Sequence, residues 1–282
     1  MICLPIKAEE IEIAVDINDS AVSAKYDAET ELFIFRGIPF AKPPVGELRW
    51  KSPVPIEPPK AIDARSFKSA CMQDTYNTEW YHDVIESFGQ DKSMFKHVES
   101  VSEDCLYLNI WTASIDSSEK KPVMVWIYGG NDVGGWTYEP NYLGHKLAQK
   151  DVVVVSIPYR LNIFGFFNHP EMENQTGNFG LEDEILALQW VKDNIAQFGG
   201  DPENITLFGE SAGGAHVTYH IASPLSEGLF DRGIIQSGGY NLSNPSRLNS
   251  LDDANKLALE TQNKAGVLNL NELTQLSSNE LL

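Results

Sequence analysis

The sequence predicts an α/β protein with a mostly parallel central sheet and helices on both of its faces. Two observations carry this. Apolar runs of strand length recur without polar alternation, in "CLYLNIW" (105–111), "PVMVWIY" (122–128), "DVVVVSIP" (151–158) and "NITLF" (204–208). Such runs mark strands buried on both faces. Between the later ones lie segments of helical period, and alternation of strand and helix builds a parallel sheet covered on both sides.

The elements follow in chain order. The first sixty residues, with "ELFIFRGIPFAKPPVGELRWKSPVP", carry short β-like runs and prolines that fix φ, so extended segments and loops are expected there. Residues 66–104 are polar and aromatic without clear period and read as a long surface loop. In "GLEDEILALQWVKDNIAQFGG" the residues Leu181, Ile185, Leu188, Val191, Ile195 and Phe198 recur at three- and four-residue steps, one face of a helix opened by acids and closed by Gly199 and Gly200. "NITLF" is a strand, "SAGGAHVTYHIAS" a helix and "RGIIQSG" another strand. Residues 251–278 read as polar helix with Ala254, Leu257, Ala258 and Leu259 on one face. No repeat or linker divides the chain, so residues 1–282 are expected to form one domain.

Composition narrows the function classes. A content of 42% hydrophobic and 10% aromatic residues supplies a large core. The formal charge of −19, from 40 acids against 21 bases, opposes nucleic acid as a partner. The most apolar stretch, "VVVVSIPYRLNIFGFF", is broken by Pro158, Arg160 and Asn162, so no membrane span is expected. "MICLPIKAEEIEIAVD" does not read as a signal peptide; a cytoplasmic protein is expected, or a secreted one if the N-terminus has been trimmed. The cysteines Cys3, Cys71 and Cys105 allow one pair and one leftover, and no Cys-x-x-Cys spacing suggests a metal or redox centre. Neither a cofactor nor a metal is expected. Sequons at Asn174, Asn204 and Asn241 read as incidental.

Chemistry concentrates in "ITLFGESAGGAHV". Gly209-Glu210-Ser211-Ala212-Gly213 fits the G-x-S-x-G elbow, in which a serine sits on a sharp strand-to-helix bend and its crowded neighbours tolerate only glycine. The preceding strand and following helix are the context this motif demands. Ser211 is therefore the expected nucleophile, and Glu210 is expected to support the site beside it. Acyl transfer also needs donors for the charge that develops on the carbonyl oxygen. The N–H of Ala212 supplies one, and the turn in "VMVWIYGGNDVGG", at Gly129, Gly130 and Asn131, offers others.

The stretches "GIPFAKPPVGELRW", "SEDCLYLNIW", "VWIYGG", "GNFGLEDEILALQWVKDNIAQFGGDP", "FGESAGGA" and "FDRGIIQSG" together resemble the N-terminal half of the type-B carboxylesterases, the group that includes cholinesterases and para-nitrobenzyl esterases. The resemblance spans about residues 37–239. It implies an α/β-hydrolase fold, an acyl-enzyme on Ser211, a small-molecule ester substrate and a Cys71–Cys105 disulfide. It also implies an oxyanion held by Gly130, Asn131 and Ala212. Three residues depart from the family pattern. Asn131 stands where a third glycine or an alanine is usual, and asparagine tolerates left-handed backbone better than most residues. Asp132 follows the glycine turn where an aromatic is usual, and its carboxylate would repel an oxyanion. Phe95 stands where cholinesterases carry a choline-binding tryptophan; its ring is a poorer cation partner and points to neutral esters.

The base is the remaining question. In this fold the triad runs serine, acid, histidine along the chain. After Ser211 only His216 and His220 follow, roughly 7 to 14 Å down the helix axis from the serine at 1.5 Å per residue. His82, His97, His145 and His169 precede the serine, in the wrong order. The His216/His220 spacing lacks the glutamate of a zinc-protease motif, since Val217 follows the first histidine, and reads as a structural pair. Asp252, Asp253, Glu260 and Glu272 read as surface acids with nothing to orient. The expectation is a chain without the C-terminal part that carries the acid and histidine, close to inert alone. Loss of the histidine costs a serine hydrolase about 10⁶ in turnover. A non-catalytic binding or adhesion module is the alternative, and a base lent by a partner chain a third.

Overall fold

A computed structural model of the chain describes residues 12–17, 19–238 and 250–282. Among the described residues eleven strands are formed, β1 (Glu12–Ile17), β2 (Ser20–Asp27), β3 (Leu32–Pro39), β4 (Ala61–Asp63), β5 (Ala70–Cys71), β6 (Val101–Ser102), β7 (Tyr107–Thr112), β8 (Lys121–Ile127), β9 (Val153–Ser156), β10 (Gly200–Glu210) and β11 (Arg232–Gln236). Eight α-helices accompany them in the same residues, α1 (Tyr76–Ser87), α2 (His145–Ala148), α3 (Asn162–Gly165), α4 (Phe179–Asn194), α5 (Ala212–Ala222), α6 (Leu251–Ala265), α7 (Leu270–Thr274) and α8 (Ser278–Leu281).

Nine of the strands build one mixed sheet in the order β1-β2-β3-β7-β9-β8-β10-β11, with β4 beside β2. The parallel arrangement read from the apolar runs holds for β9, β8, β10 and β11. The proline-rich N-terminal segment adds an antiparallel half, β1 through β3 to β7, and β7 meets β9 antiparallel. Side chains alternate across the sheet. Thus Val153 and Val155 face a core that includes Leu188 and Val191 of α4 and Val217 of α5, while Val154 and Trp111 pack with Ala148 of α2. Helices therefore cover both faces. On β11 all five residues are exposed, including Ile234 and Ile235.

Two sequence expectations are corrected. Residues 66–104 hold the helix α1 and the parallel pair β5–β6 rather than only loop. No apolar stripe betrayed α1 because its inward side is largely polar and aromatic: Asn77 and Thr78 are buried, and Tyr81 and Ile85 pack against Phe95 and Trp136. The face assigned to α6 is also different. Ala258 and Gln262, one turn apart, are buried, whereas Leu257 and Leu259 point to solvent. Residues two apart on a helix lie about 200° apart and cannot share a face. Ala258 and Leu273 of α7 join a cluster with Trp50, Phe167 and Phe179.

The Arg49 guanidinium locks the C-terminal helices to the N-terminal segment. It donates to Glu103 at 2.5 and 2.7 Å and to the carbonyls of Thr274 and Leu276, both at 2.7 Å. Cys71 and Cys105 form a disulfide. Cys3 and Asn241 lie outside the described residues. Among the described residues no helix is long and apolar enough to cross a membrane.

Candidate active site

The parallel half of the sheet decides where chemistry can sit. Strand β10 ends at Glu210 and α5 begins at Ala212, so the chain reverses within a single residue, Ser211, at φ 54° and ψ −119°. Backbone this strained persists only where its surroundings fix it. Here the Ser211 N–H donates to the Gln236 carbonyl at the end of β11, at 2.9 Å, and its own carbonyl accepts from Ala215 at 3.0 Å. The flanking glycines are needed for space. A Cβ on Gly209 would lie 2.5 Å from the Gly213 carbonyl group.

Strand β8 runs parallel beside β10, with Ile127 opposite Gly209, so the turn that follows β8 arrives next to the elbow. A Cβ on Gly129 would stand 3.0 Å from the Ser211 Cβ and 2.8 Å from the Glu210 carbonyl oxygen. The turn then takes three successive positive φ values, 110° at Gly130, 58° at Asn131 and 62° at Asp132. Asparagine and aspartate tolerate this region better than other residues with a Cβ. The N–H groups of Val133 and Gly134 close the turn onto the Gly130 carbonyl, both at 3.1 Å, and the Asn162 N–H donates to the Asp132 carbonyl at 2.6 Å. Tyr128 and Tyr159 stack at 4.6 Å, and each hydroxyl donates to the other's carbonyl, which fixes the entry to the turn. Among the described residues no hydrogen bond engages the N–H of Gly130, Asn131 or Ala212.

Two carboxyls lie behind the turn. Burial raises the Glu210 carboxyl above its ordinary range. Glu139 is fully buried; burial pushes its carboxyl up to about 7, against the bonds it accepts from the Tyr81 hydroxyl at 2.8 Å and the Trp136 N–H at 3.1 Å. Tyr81 also stacks on Phe95 at 4.1 Å, and Trp136 adjoins the same ring at 5.7 Å. Phe95 is buried in this cluster, so the expectation that it turns a ring face toward a ligand is corrected: Tyr81 occupies that face.

None of the histidines with described bonds reaches Ser211. His82 meets the Phe95 carbonyl and His169 meets Gln262, each at 2.8 Å. His216 and His220 turn away from the serine and share Glu184 of α4: His216 Nδ1 lies 2.8 Å from Oε1, and His220 Nε2 lies 2.7 Å from Oε2. His220 Nδ1 is 2.9 Å from the Ser226 hydroxyl. His216 Nε2 approaches Asp132 Oδ1 at 3.1 Å as an ion pair. Among the described residues no cluster of His, Cys, Asp and Glu is placed to hold a metal ion. Asp252, Asp253, Glu260 and Glu272 are exposed.

Glu184, Asp183 and Glu139 escaped sequence reasoning. The α4 acids looked like a helix-opening charge cluster, yet Asp183 and Glu184 are fully buried, the first against Arg160 and the second between two imidazoles. A signal was present. Glu184 sits three residues after Leu181 and four before Leu188, on the apolar stripe itself, where a lone acid requires a buried cationic partner.

The family model described as "Carboxylesterase family" matches residues 18–280. The chain is 44% identical over 230 residues to an acetylcholinesterase of Leptinotarsa decemlineata, covering 75% of this chain and 35% of that protein. It is 41% identical over 255 residues to Carboxylesterase 1E of Mus musculus, covering 88% and 44%. The crystal structure of the Geobacillus stearothermophilus carboxylesterase EST55 superposes with a TM-score of 0.80 at 37% identity, covering 95% of this chain and 52% of that one. The chain thus spans about half or less of the length of each of these three proteins.

Proposed function

The chain belongs to the carboxylesterase family, and on that premise we propose that it carries the nucleophile and the oxyanion donors of a serine ester hydrolase. The observation that carries the proposal is Ser211, held at a left-handed bend against the Gly129 turn with three unengaged amides around it.

In this reading the Ser211 oxygen attacks the carbonyl carbon of a carboxylic ester. The carbonyl π electrons move to oxygen, and the N–H groups of Gly130, Asn131 and Ala212 receive that charge. Each such donor is worth about 10²–10³ in turnover. Collapse of the intermediate expels the alcohol and leaves an acyl group on Ser211, which water then removes. A base must take the serine proton and return it to the alcohol. Each imidazole whose bonds are described is committed elsewhere, so we place the base and its orienting acid in polypeptide outside these 282 residues. Glu210 and Glu139 stand behind the turn and shape its electrostatics. The Cys71–Cys105 disulfide supports secretion over a cytoplasmic location, because thiols in the cytosol are kept reduced.

A fluorophosphonate probe tests the nucleophile. With the downstream polypeptide that carries the base supplied, mass spectrometry should find a single adduct on Ser211 and none in Ser211→Ala; labelling that survives the substitution overturns the assignment. An activated aryl ester tests the placement of the base. Turnover by residues 1–282 alone should stay near background, and rapid Ser211-dependent hydrolysis would show that the base lies within them. A non-catalytic binding module would draw support from Asp132, but that carboxylate faces a histidine, and such a module has no use for a serine held at a strained bend.

A further inference from the structure

We infer that His216 is an imidazolium clamp: bridging Glu184 on α4 and Asp132 on the turn after β8, it pins the turn that presents Gly130 and Asn131 and cancels the Asp132 charge beside them. The clamp itself follows from geometry. Only its benefit to an oxyanion rests on the esterase reading above.

The decisive feature is that both ring nitrogens of His216 face carboxylate oxygens, Nδ1 toward Glu184 at 2.8 Å and Nε2 toward Asp132 at 3.1 Å. A neutral imidazole carries one N–H and could serve one of them, turning a lone pair toward the other. An imidazolium donates to Glu184 and still presents an N–H and its positive charge to Asp132. Asp132 Oδ1 is buried and has no hydrogen-bonding partner of good geometry, so the charge on His216 is what compensates it. Glu184 is anchored in turn by His220, itself braced by Ser226, so the carboxylate cannot swing away.

Aromatic rings flank the imidazole. Tyr159 lies 4.9 Å away edge-on, and Phe166 and Tyr219 each lie 5.9 Å away. The charged groups facing the ring are Asp132 and Glu184, with His220 beyond Glu184, while Arg160 is spent on Asp183. Burial alone would strip the proton from His216, but the Glu184 charge and the Asp132 contact outweigh it and push the imidazole up to about 10. Glu184 is correspondingly held below the ordinary carboxylate range, burial notwithstanding, by the His216 charge and by its bonds to both imidazoles.

Asp132 is also where the clamp can act. It follows Asn131 in the left-handed run of the turn, and its carbonyl accepts from Asn162. Loss of the ion pair would free a strained segment whose amides must point at one spot.

Histidine nitrogen NMR on labelled protein tests this directly. At pH 7.5 both His216 nitrogens should be protonated, with titration only above pH 8. Asp132→Asn, at a half-exposed side chain that folding tolerates, should lower that midpoint by at least one pH unit. Amide hydrogen exchange supplies the second readout. His216→Gln should accelerate exchange at Val133, Gly134 and Asn162 more than tenfold with β8 unchanged, and the neutral pair Asp132→Asn/His216→Gln should restore much of the protection. A single-tautomer neutral His216 at pH 7.5, or turn exchange indifferent to His216→Gln, overturns the clamp. If both readouts behave as expected while Ser211 fails to take a fluorophosphonate even with the downstream, base-bearing polypeptide supplied, the clamp stands and the hydrolase reading falls.

Discussion

A Cβ placed on Gly213 would stand 2.2 Å from the carbonyl oxygen of Ile127. The first turn of α5 is therefore pressed onto the end of β8 with no room for a methyl group, and this contact sets the height of Ser211 above the sheet. Because the clashing atom belongs to the backbone of a buried strand, neither side can give way cheaply. Gly213→Ala is expected to lower stability by about 1–3 kcal/mol or more. Urea denaturation would show it as a lower midpoint at unchanged slope. An unaltered midpoint would mean that the elbow can rise, and that the glycine there is not required by packing.

Arg160 and Asp183 form a deeply buried ion pair. Asp183 accepts from Arg160 Nε at 2.8 Å, Nη2 at 2.7 Å and the backbone N–H at 3.0 Å, with both side chains almost wholly shielded from water. Removing one partner leaves an uncompensated charge. Asp183→Ala should cost about 3–5 kcal/mol, while replacing both residues by apolar side chains of similar volume should cost far less. Equal losses in the single and double variants would show that the pair acts through shape and not charge.

Much of this was legible in the chain. Ser211 with its flanking glycines, and the strands 123–127, 153–156 and 205–208, declared themselves because backbone space and two-sided burial dictate residue type directly. Gly129 to Asn131 likewise fell where a turn after β8 had to be. What stayed hidden was compensation between distant residues. Asp132 read as a repulsive intruder because its partner, His216, comes 84 positions later and meets it only once β8 and β10 are side by side. Helix α1 was missed for a related reason: its inward side meets the Gly134 loop through Asn77, and no apolar period was needed.

The disulfide should matter to the site as well as to the fold. It closes a loop with a sequence separation of 34, for which about 2–4 kcal/mol of stabilisation is typical. Two residues beyond Cys71, the Gln73 side chain braces the glycine loop: its Nε2 donates to the Gly135 carbonyl at 2.8 Å and its Oε1 accepts the Gly135 N–H at 2.9 Å. The double variant Cys71→Ser/Cys105→Ser is therefore expected to lose that stability and to expose Gly135 to amide exchange more than residues of α6. Uniform protection loss across the protein would show that the bridge stabilises globally without bracing the loop.

Stability should fall from mildly acidic pH toward alkaline pH, in two steps of the same sign. Glu139 has a folded value of about 7 against an ordinary 4.5, so between these the folded state holds a proton that the unfolded chain has released. Stability declines wherever the folded state binds more protons. His216, raised from 6.5 to about 10, behaves alike one window higher: its stabilisation is complete below 6.5 and lost as pH rises through 10. Glu184 opposes them only in acid, since a lowered carboxyl loses its contribution as pH falls below the ordinary range. At 1.36 kcal/mol per unit, the Glu139 step is on the order of 3 kcal/mol. Glu139→Gln keeps an acceptor for the Tyr81 hydroxyl but cannot ionise. Urea midpoints at pH 5, 7 and 9 should then be nearly level from 5 to 7 in the variant, sloping downward there in the wild type, and falling in both from 7 to 9. Parallel wild-type and variant curves between pH 5 and 7 would place that proton on another group.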